Sequence, residues 1–395
     1  MTEQTGNPIL QTPAAEAQDA PAPLEEMLVA AGTPTPLRVA WVAGPETFSR
    51  TGRILQPLAL GLMDELVSPT VLVPEHSQTR EMPNLPMDVL RYSRLHWLMF
   101  RRRMITQLAG ELENRQINLI HALDGTAAEL ARRLAMASGL RYVVSCYGKF
   151  QAARLRHLEG QATALLAASE PIRRELLEHH VAPADRIHLV RPGVYQVGHA
   201  TCFTEPGKSM AIVAGGEMND FLSYQAVLKA FVEVKNRGFD AAFFIIANGK
   251  AETSVRQAAR DLGLSQRLTF IDRQQMAQMQ GILKGADIYI SPETSTEMDI
   301  TSLVAMAAGD PVLTADGRLD DFLIDGKTAC VYRQGDAADL TAKLLGLLAD
   351  RPRATSLAEA ALSHLRQKHS PAAMVSQVTQ IYRDAAAGQS AQRAG

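Results

Sequence analysis

Cysteine is nearly absent. Cys146, Cys202 and Cys330 are three in 395 residues, odd in number and without metal-ligand spacing, which argues against a disulfide framework and against a zinc site, and points to a reducing cytoplasm. Long apolar runs are missing too. No stretch approaches the ~20 residues of a spanning helix, and the N-terminus has neither a basic n-region nor an apolar h-region, so no membrane span or secretory signal is expected. Net charge is small, −2 at pH 7, which removes the electrostatic case for nucleic acid or an anionic membrane as the main partner. Residues 1–36 contain no Lys or Arg, only acidic residues among Ala, Thr and six prolines. Such a segment cannot bury enough surface to order itself beyond a short helix around 24–31, and it is expected to be a disordered tail. No repeat of 20–50 residues is present, which excludes a solenoid.

What is present is core material and alternation. With 46% hydrophobic and 21% charged residues, the chain has enough for two ordinary domains. LRVAWVAG, from Leu37, reads as a buried strand; it leads into the loop PETFSRTGR and a helix over about 54–66. Strands then follow at 70–73, 119–121, 141–145, 164–167 and 187–190, with helices at 127–138, near 155 and at 171–179. Residues 89–116 read as a basic, aromatic start passing into an amphipathic helix. A polar stretch at 196–208 is taken as a linker. Beyond it come strands at 210–213, 242–246, 268–271, 288–290 and 311–313 and helices at 224–237, 252–262, 274–284, 300–309, 340–350 and 372–386. This pattern predicts an α/β chain with two doubly wound, Rossmann-type parallel-sheet domains facing each other, 37–195 and 209–371, a last helix at 372–386 that crosses back to the first, and a tail at 387–395.

The organising stretch is 286–317, ADIYISPETSTEMDITSLVAMAAGDPVLTADG. It reads strand, polar turn, small-residue helix, strand, and the loop after the first strand is where such crossovers place ligands. It resembles the donor-site segment of the retaining GT-B glycosyltransferases of family 4 (glycosyl transferases group 1), which read P-S-x-x-E-G-F-G-L-x-x-x-E-A-M-A-x-G-x-P-V. Ala305, Met306, Ala307, Gly309, Pro311 and Val312 match; the first half does not. The family's ribose-binding Glu is Val304 here, its sugar-facing Glu is Thr296 with Glu297 one place on, and Asp299 stands at the second Gly of its turn. The resemblance extends over roughly 37–386.

What the resemblance implies is transfer of a sugar from a nucleotide-sugar, as substrate, to a glycan or lipid-linked acceptor in envelope or exopolysaccharide synthesis, with no metal and no cofactor. Charge growing on the leaving diphosphate is carried in such sites by an Arg, a Lys and amides at a helix N-terminus. The matching stretch, GEMNDFLS, keeps Gly216 but has Glu217 at the Arg and Leu222 at the Lys. Losing two charged hydrogen bonds costs about 3–6 kcal/mol, and Glu217 worsens the field. Asp299 would cap its helix and take the amides a phosphate would use. Tyr147 replaces a family His beside Gly148 and is a poor general base near pH 7.

The sugar-side candidates are therefore Thr296, Glu297 and Tyr147, and the donor-binding candidates are Gly52, Gly148, Gly215, Gly216, Lys250, Ser295, Thr301 and Ser302. Lys250 and Arg191 are candidate replacement cations, although surface cations are usually only solvated. His121, Asp124 and Gly125 keep the family's look at the cleft edge, with a lone His at a strand end more often structural than chemical. Arg91, Arg94, Trp97, Phe100, Arg101, Arg102 and Arg103 suit an acceptor or membrane face, or simply a solvated helix. Two functions follow: an active glycosyltransferase, cytoplasmic with peripheral contact at the inner membrane face where the acceptor is lipid-linked, or an inactive relative that binds a glycan, a lipid-linked sugar or a partner enzyme.

Overall fold

The computed structural model describes residues 36–393 apart from 76, 78–86, 94–100, 150–153, 157–161, 205–206, 248 and 272–280. Two sheets carry the chain from Leu37 onward. The first holds β1 (Leu37–Val42), β2 (Val67–Pro74), β3 (Asp88–Tyr92), β4 (Leu119–Ala122), β5 (Arg141–Cys146), β6 (Ala164–Ala167) and β7 (Ile187–Leu189), in the order β3-β2-β1-β4-β5-β6-β7. The second holds β8 (Met210–Gly216), β9 (Ala241–Ala247), β10 (Leu268–Ile271), β11 (Ile288–Ser291), β12 (Val312–Ala315) and β13 (Cys330–Tyr332), in the order β10-β9-β8-β11-β12-β13. All neighbours pair parallel. β4, β6, β11 and β12 are buried at every residue, as parallel strands covered on both faces must be.

The covering helices are α1 (Thr47–Asp64), α2 (Arg101–Asn114), α3 (Ala128–Ser138) and α4 (Glu170–Glu178) in the first half. In the second they are α5 (Phe221–Asn236), α6 (Glu252–Asp261), α7 (Ile300–Ala308), α8 (Ala337–Ala349) and α9 (Arg351–Lys368), followed by α10 (Pro371–Arg393). In each sheet the strand order reverses once, between β1 and β4 and between β8 and β11. At such reversals the loops leave in opposite directions and open a crevice at the strands' C-terminal ends.

Short signals fix α7. Asp299 accepts a hydrogen bond from Ser302 N at 3.0 Å and starts it; Gly309, at φ 92°, ends it where a Cβ would stand 2.9 Å from Thr201 N. α10 lies against the first sheet, where Trp41 Nε1 donates to Tyr382 Oη at 3.1 Å between two fully buried side chains.

The structure departs from the sequence reading in several places. α1 begins at Thr47, so Gly52 is buried inside a helix and not in a loop. Thr47 Oγ1 accepts from Gly44 N at 2.7 Å and so holds the turn before the helix, while Thr51 Oγ1 donates to Thr47 O at 2.6 Å within its first turn. Arg91 belongs to strand β3, paired with β2, and not to the start of an amphipathic helix, because DVLRY carries strand-forming residues that extend the sheet edge. Arg94, Trp97 and Phe100 lie outside the described residues, as does most of the expected helix at 274–284. α9 was not anticipated, although Asp350 followed by Pro352 in its first turn is a legible start. Within the expected linker, Val197 N donates to Ala307 O at 3.0 Å and Ala200 N to the Glu359 carboxylate at 2.6 Å.

Candidate functional site

Both crevices open onto one region. A cavity of about 820 Å³ lies over the β1/β4 reversal, against Gly44, Thr47, Asp124, Thr126 and Arg154. A second, of about 370 Å³, lies over the β8/β11 reversal, against Gly216, Glu217, Asp220, Glu293, Asp299 and Arg318. Arg50, Thr51, Tyr147 and Glu297 line both cavities and so mark their junction.

Carboxylates hold the loops at each reversal. Asp124 accepts from Thr126 N at 2.7 Å and Ala127 N at 3.2 Å, and from the Thr47 hydroxyl across the crevice. Glu293 accepts from Asp220 N at 2.6 Å, and Asp220 caps α5 by accepting from Leu222 N and Ser223 N at 3.1 and 3.0 Å. Asp299 accepts from the hydroxyls of Ser291 and Ser302 and pairs with Arg318 Nη1 at 3.0 Å. The amides at the N-termini of α5 and α7 are thus committed to Asp220 and Asp299, as an anion at a helix start would commit them.

Arg318 is buried, with its side chain 5% exposed, and its Nη2 donates to Ser291 Oγ, Ser291 O and Glu293 O. It therefore holds the β11–α7 loop. Burial opposes the charge on Asp299, but Arg318 and the two serines outweigh it and keep that carboxyl below its ordinary value. Asp320, which accepts from Asp299 N at 2.9 Å, is pushed up to about 7, by burial first and by Asp299 next. Burial also raises Glu293 and Glu297 above the ordinary carboxylate range.

The two halves touch at this site. Gly148 and Glu297 form an antiparallel bridge, flanked by Met298 N to Tyr147 O at 2.7 Å and Lys149 N to Thr296 O at 2.9 Å. Only a residue without a side chain fits at 148, because a Cβ would stand 2.6 Å from Thr296 O and 2.7 Å from Glu297 Cγ. Beside the bridge, Arg50 of α1 pairs with Glu297 at 2.7 Å, Glu46 at 2.8 Å and Glu217 at 3.9 Å.

Of the expected site residues, Gly216, Ser295, Thr296, Glu297 and Thr301 line the smaller cavity, and Tyr147 and Glu297 stand at the junction. Burial pushes the Tyr147 phenol well above its ordinary value, so it is a hydrogen-bond donor there. Ser302 is buried and bound by Asp299; Gly215 is buried beneath Tyr289, whose hydroxyl a Cβ would meet at 2.8 Å. Gly52 and Lys250 line neither cavity, one being inside α1 and the other on the exposed turn after β9. Arg191 is paired with Asp321 at 2.7 Å. Of the three altered clamp positions only Glu217 faces the cavity. Leu222 is 66% exposed on the first turn of α5, and Val304 is 9% exposed within α7, packed in the core. His121 is buried under α10 and not at the cleft edge. Arg101, Arg102 and Arg103 are exposed at the start of α2. Sequence reasoning missed Arg50, Arg154, Glu293 and Arg318. The signals were there in part: Arg50 is a cation in a stretch where the family is Gly-rich, and Arg318 sits between Asp316 and Asp320.

Among the described residues no cluster of His, Cys, Asp or Glu could hold a metal ion, and no helix is long and apolar enough to cross a membrane.

Two facing parallel α/β halves with a site between their reversals define the GT-B class, and comparison with known proteins agrees. Residues 51–195 match the family described as Glycosyltransferase Family 4, and residues 210–350 match Glycosyl transferases group 1. The chain belongs to these group 1/family 4 glycosyltransferases. Curated relatives include the D-inositol 3-phosphate glycosyltransferases of Corynebacterium aurimucosum, 29% identical over 231 residues (54% of each chain), and of Nocardia farcinica, 27% identical over 226 residues (53% of this chain, 50% of that one). The chain thus spans about half the length of the curated relatives it matches. Similar folds include a glycosyltransferase from Rickettsia africae, with TM-score 0.72, 13% identity and coverage of 89% of this chain and 98% of that one. Anabaena HepE in complex with UDP has TM-score 0.67, 11% identity and coverage of 88% and 100%. These relationships support a glycosyltransferase and lend nothing to the reading of an inactive binding subunit.

Proposed function

We propose that this chain transfers a sugar from a nucleotide-sugar bound in the smaller cavity to a polar acceptor bound in the larger one, with retention and without a metal. The carrying observation is that the two cavities, one on each reversal, meet at Arg50, Thr51, Tyr147 and Glu297. In the reaction the bond from the anomeric carbon to the diphosphate breaks, one to an acceptor hydroxyl oxygen forms on the same face of the sugar, and the hydroxyl's proton passes to the departing diphosphate. Tyr147, as a neutral phenol, and the backbone at 296–297 orient the sugar; negative charge accumulating on the diphosphate requires a positive partner at the junction. The relatives are named for D-inositol 3-phosphate, which makes a phosphorylated cyclic polyol the first acceptor to try. A lipid-linked acceptor is the second reading, favoured by the exposed run Arg101, Arg102 and Arg103; it is checked by vesicle flotation, whose loss in high salt it requires.

The test is thermal denaturation and calorimetry of the full chain with UDP-, GDP-, ADP- and TDP-sugars, then transfer assays with the donor that binds. A ligand that binds only the native state raises its midpoint through RT ln(1 + [L]/Kd). No shift with any donor at millimolar concentration would remove the donor role from the smaller cavity.

A further inference from the structure

The proposed donor cavity has an electrostatic problem. Its lining carries Glu217, Asp220, Glu293, Glu297 and Asp299, and a diphosphate brings more negative charge to it. Two arginines line the same cavity. Arg318 is buried and its terminal nitrogens are committed to Asp299, Ser291 and the Glu293 carbonyl, so turning it outward would undo the loop it holds. Arg50 differs in every respect. It is 37% exposed, it lies on the first turn of α1, it reaches the cavity from the opposite half of the molecule, and its bonds are ion pairs with acidic side chains that solvent also reaches.

We propose that Arg50 is the cation that receives the donor's diphosphate, in place of the pair that Glu217 and Leu222 replace, and that Glu297 holds it until the donor enters. This rests on the reading of the smaller cavity as the donor site. A guanidinium presents a planar fork of donors that suits two phosphate oxygens as well as it suits a carboxylate, so a diphosphate and Glu297 compete for one geometry. The exchange is local: Arg50 turns from Glu297 toward the cavity while Glu46, one helical turn away, still neighbours it. Arg50 also lines the acceptor-side cavity, so the same side chain stands where charge grows on the leaving group as the acceptor arrives. Because the Arg50–Glu297 pair itself spans the two halves, donor binding in this scheme gives up one side-chain contact between them and leaves the backbone bridge at Gly148 in place.

The experiment is calorimetry of UDP, GDP, ADP and TDP with the full chain as wild type, Arg50→Ala, Arg50→Lys and Glu297→Gln, each checked for an unchanged circular dichroism spectrum. For the nucleotide that binds best, Arg50→Ala is expected to weaken binding at least tenfold, Arg50→Lys to weaken it less, and Glu297→Gln to tighten it severalfold by releasing the guanidinium. A merely structural ion pair predicts otherwise, since both partners' variants would then weaken binding alike. That result, or an Arg50→Ala variant that binds like wild type, overturns the role of Arg50 and leaves the donor site standing. If neither wild type nor Glu297→Gln binds any of the four nucleotides, the donor-site reading falls and takes this inference with it.

Discussion

The phenol of Tyr382 donates its proton to Nδ1 of His121, 2.5 Å away across the seam between α10 and β4. Roles in this contact follow from its neighbours. Trp41 Nε1 can only donate, and it donates to Tyr382 Oη at 3.1 Å, so the phenol's single proton goes to His121. His121 is then the Nε2–H tautomer and donates to Ser145 Oγ at 2.9 Å; Ser145 is in turn hydrogen-bonded to Tyr147 at the cavity junction. Tyr382→Phe orphans the Trp41 N–H and the His121 acceptor together. At about 1–3 kcal/mol for each unsatisfied buried group, a loss of about 2–6 kcal/mol is expected in urea unfolding, and a loss below ~0.5 kcal/mol would mean the chain of bonds is not formed.

The same histidine sets a pH dependence. Burial lowers His121 to about 3 and His369 to about 4, so neither takes a proton in the native state where the unfolded chain does, near 6.5. Their stabilisation is complete above the unfolded pKa and is lost as pH falls, by about 1.4 kcal/mol per pH unit for each group. Asp320 works the other way. Raised to about 7, it keeps its proton in the native state when the unfolded chain has released one, so its contribution is complete below about 4 and is lost as pH rises to 7. Asp320→Asn removes this opposing limb. The variant should match wild type near pH 4 and gain on it by about 1.4 kcal/mol per unit up to pH 7, read from urea midpoints across that range. Parallel midpoints would show that Asp320 is ionised throughout.

Gly148→Ala tests the contact between the halves. The new methyl needs the space of Thr296 O, which is backbone and cannot give way without parting the bridge. A cost of about 1–3 kcal/mol is expected, with faster hydrogen exchange at the Met298 and Lys149 amides, whose partners lie across the junction. Unchanged protection at both amides would mean that the bridge tolerates a side chain.

The sheets were legible because parallel strands buried on both faces leave continuous apolar runs, as LRVAWV and the IYIS of β11 do, and because α7 carries its own cap and its own stop in Asp299 and Gly309. The family signature beside them told where the ligand crevice lies. What was not legible is which cation meets the crevice. Arg191 and Arg50 are equivalent on paper, each a basic residue near a loop, yet one is paired with Asp321 and the other sits among three glutamates at the junction, because the packing of one half on the other decides it. Val304 was misplaced for a related reason. A motif position fixes a place along a helix, but α7 turns that place into the core.

Restoring the family's clamp is therefore a smaller operation than the motif suggests. Glu217→Arg and Leu222→Lys alter side chains that are in contact with solvent, so the doubly changed protein should fold normally, and each new charge-assisted bond to a diphosphate is worth about 1.5–3 kcal/mol. UDP or GDP binding should tighten by roughly 10- to 100-fold in calorimetry if one such bond forms. Val304→Glu places a carboxylate at a position 9% exposed, and Asp299→Gly removes a helix cap and the nearer of the two carboxylates that pair with buried Arg318, Asp320 being the other at 3.8 Å. Breaking a buried ion pair costs up to about 3–5 kcal/mol, against about 1 for the cap alone, and Asp320 offsets only part of this from 3.8 Å, so adding Asp299→Gly should lower the thermal midpoint and bring no further gain in affinity. A doubly changed protein that folds but binds nucleoside diphosphates no better than wild type would show that the phosphates do not lie beside Glu217. An Asp299→Gly protein as stable as wild type would show instead that Arg318 does not depend on Asp299, and that Asp320 together with the serine and carbonyl contacts of Arg318 holds the β11–α7 loop.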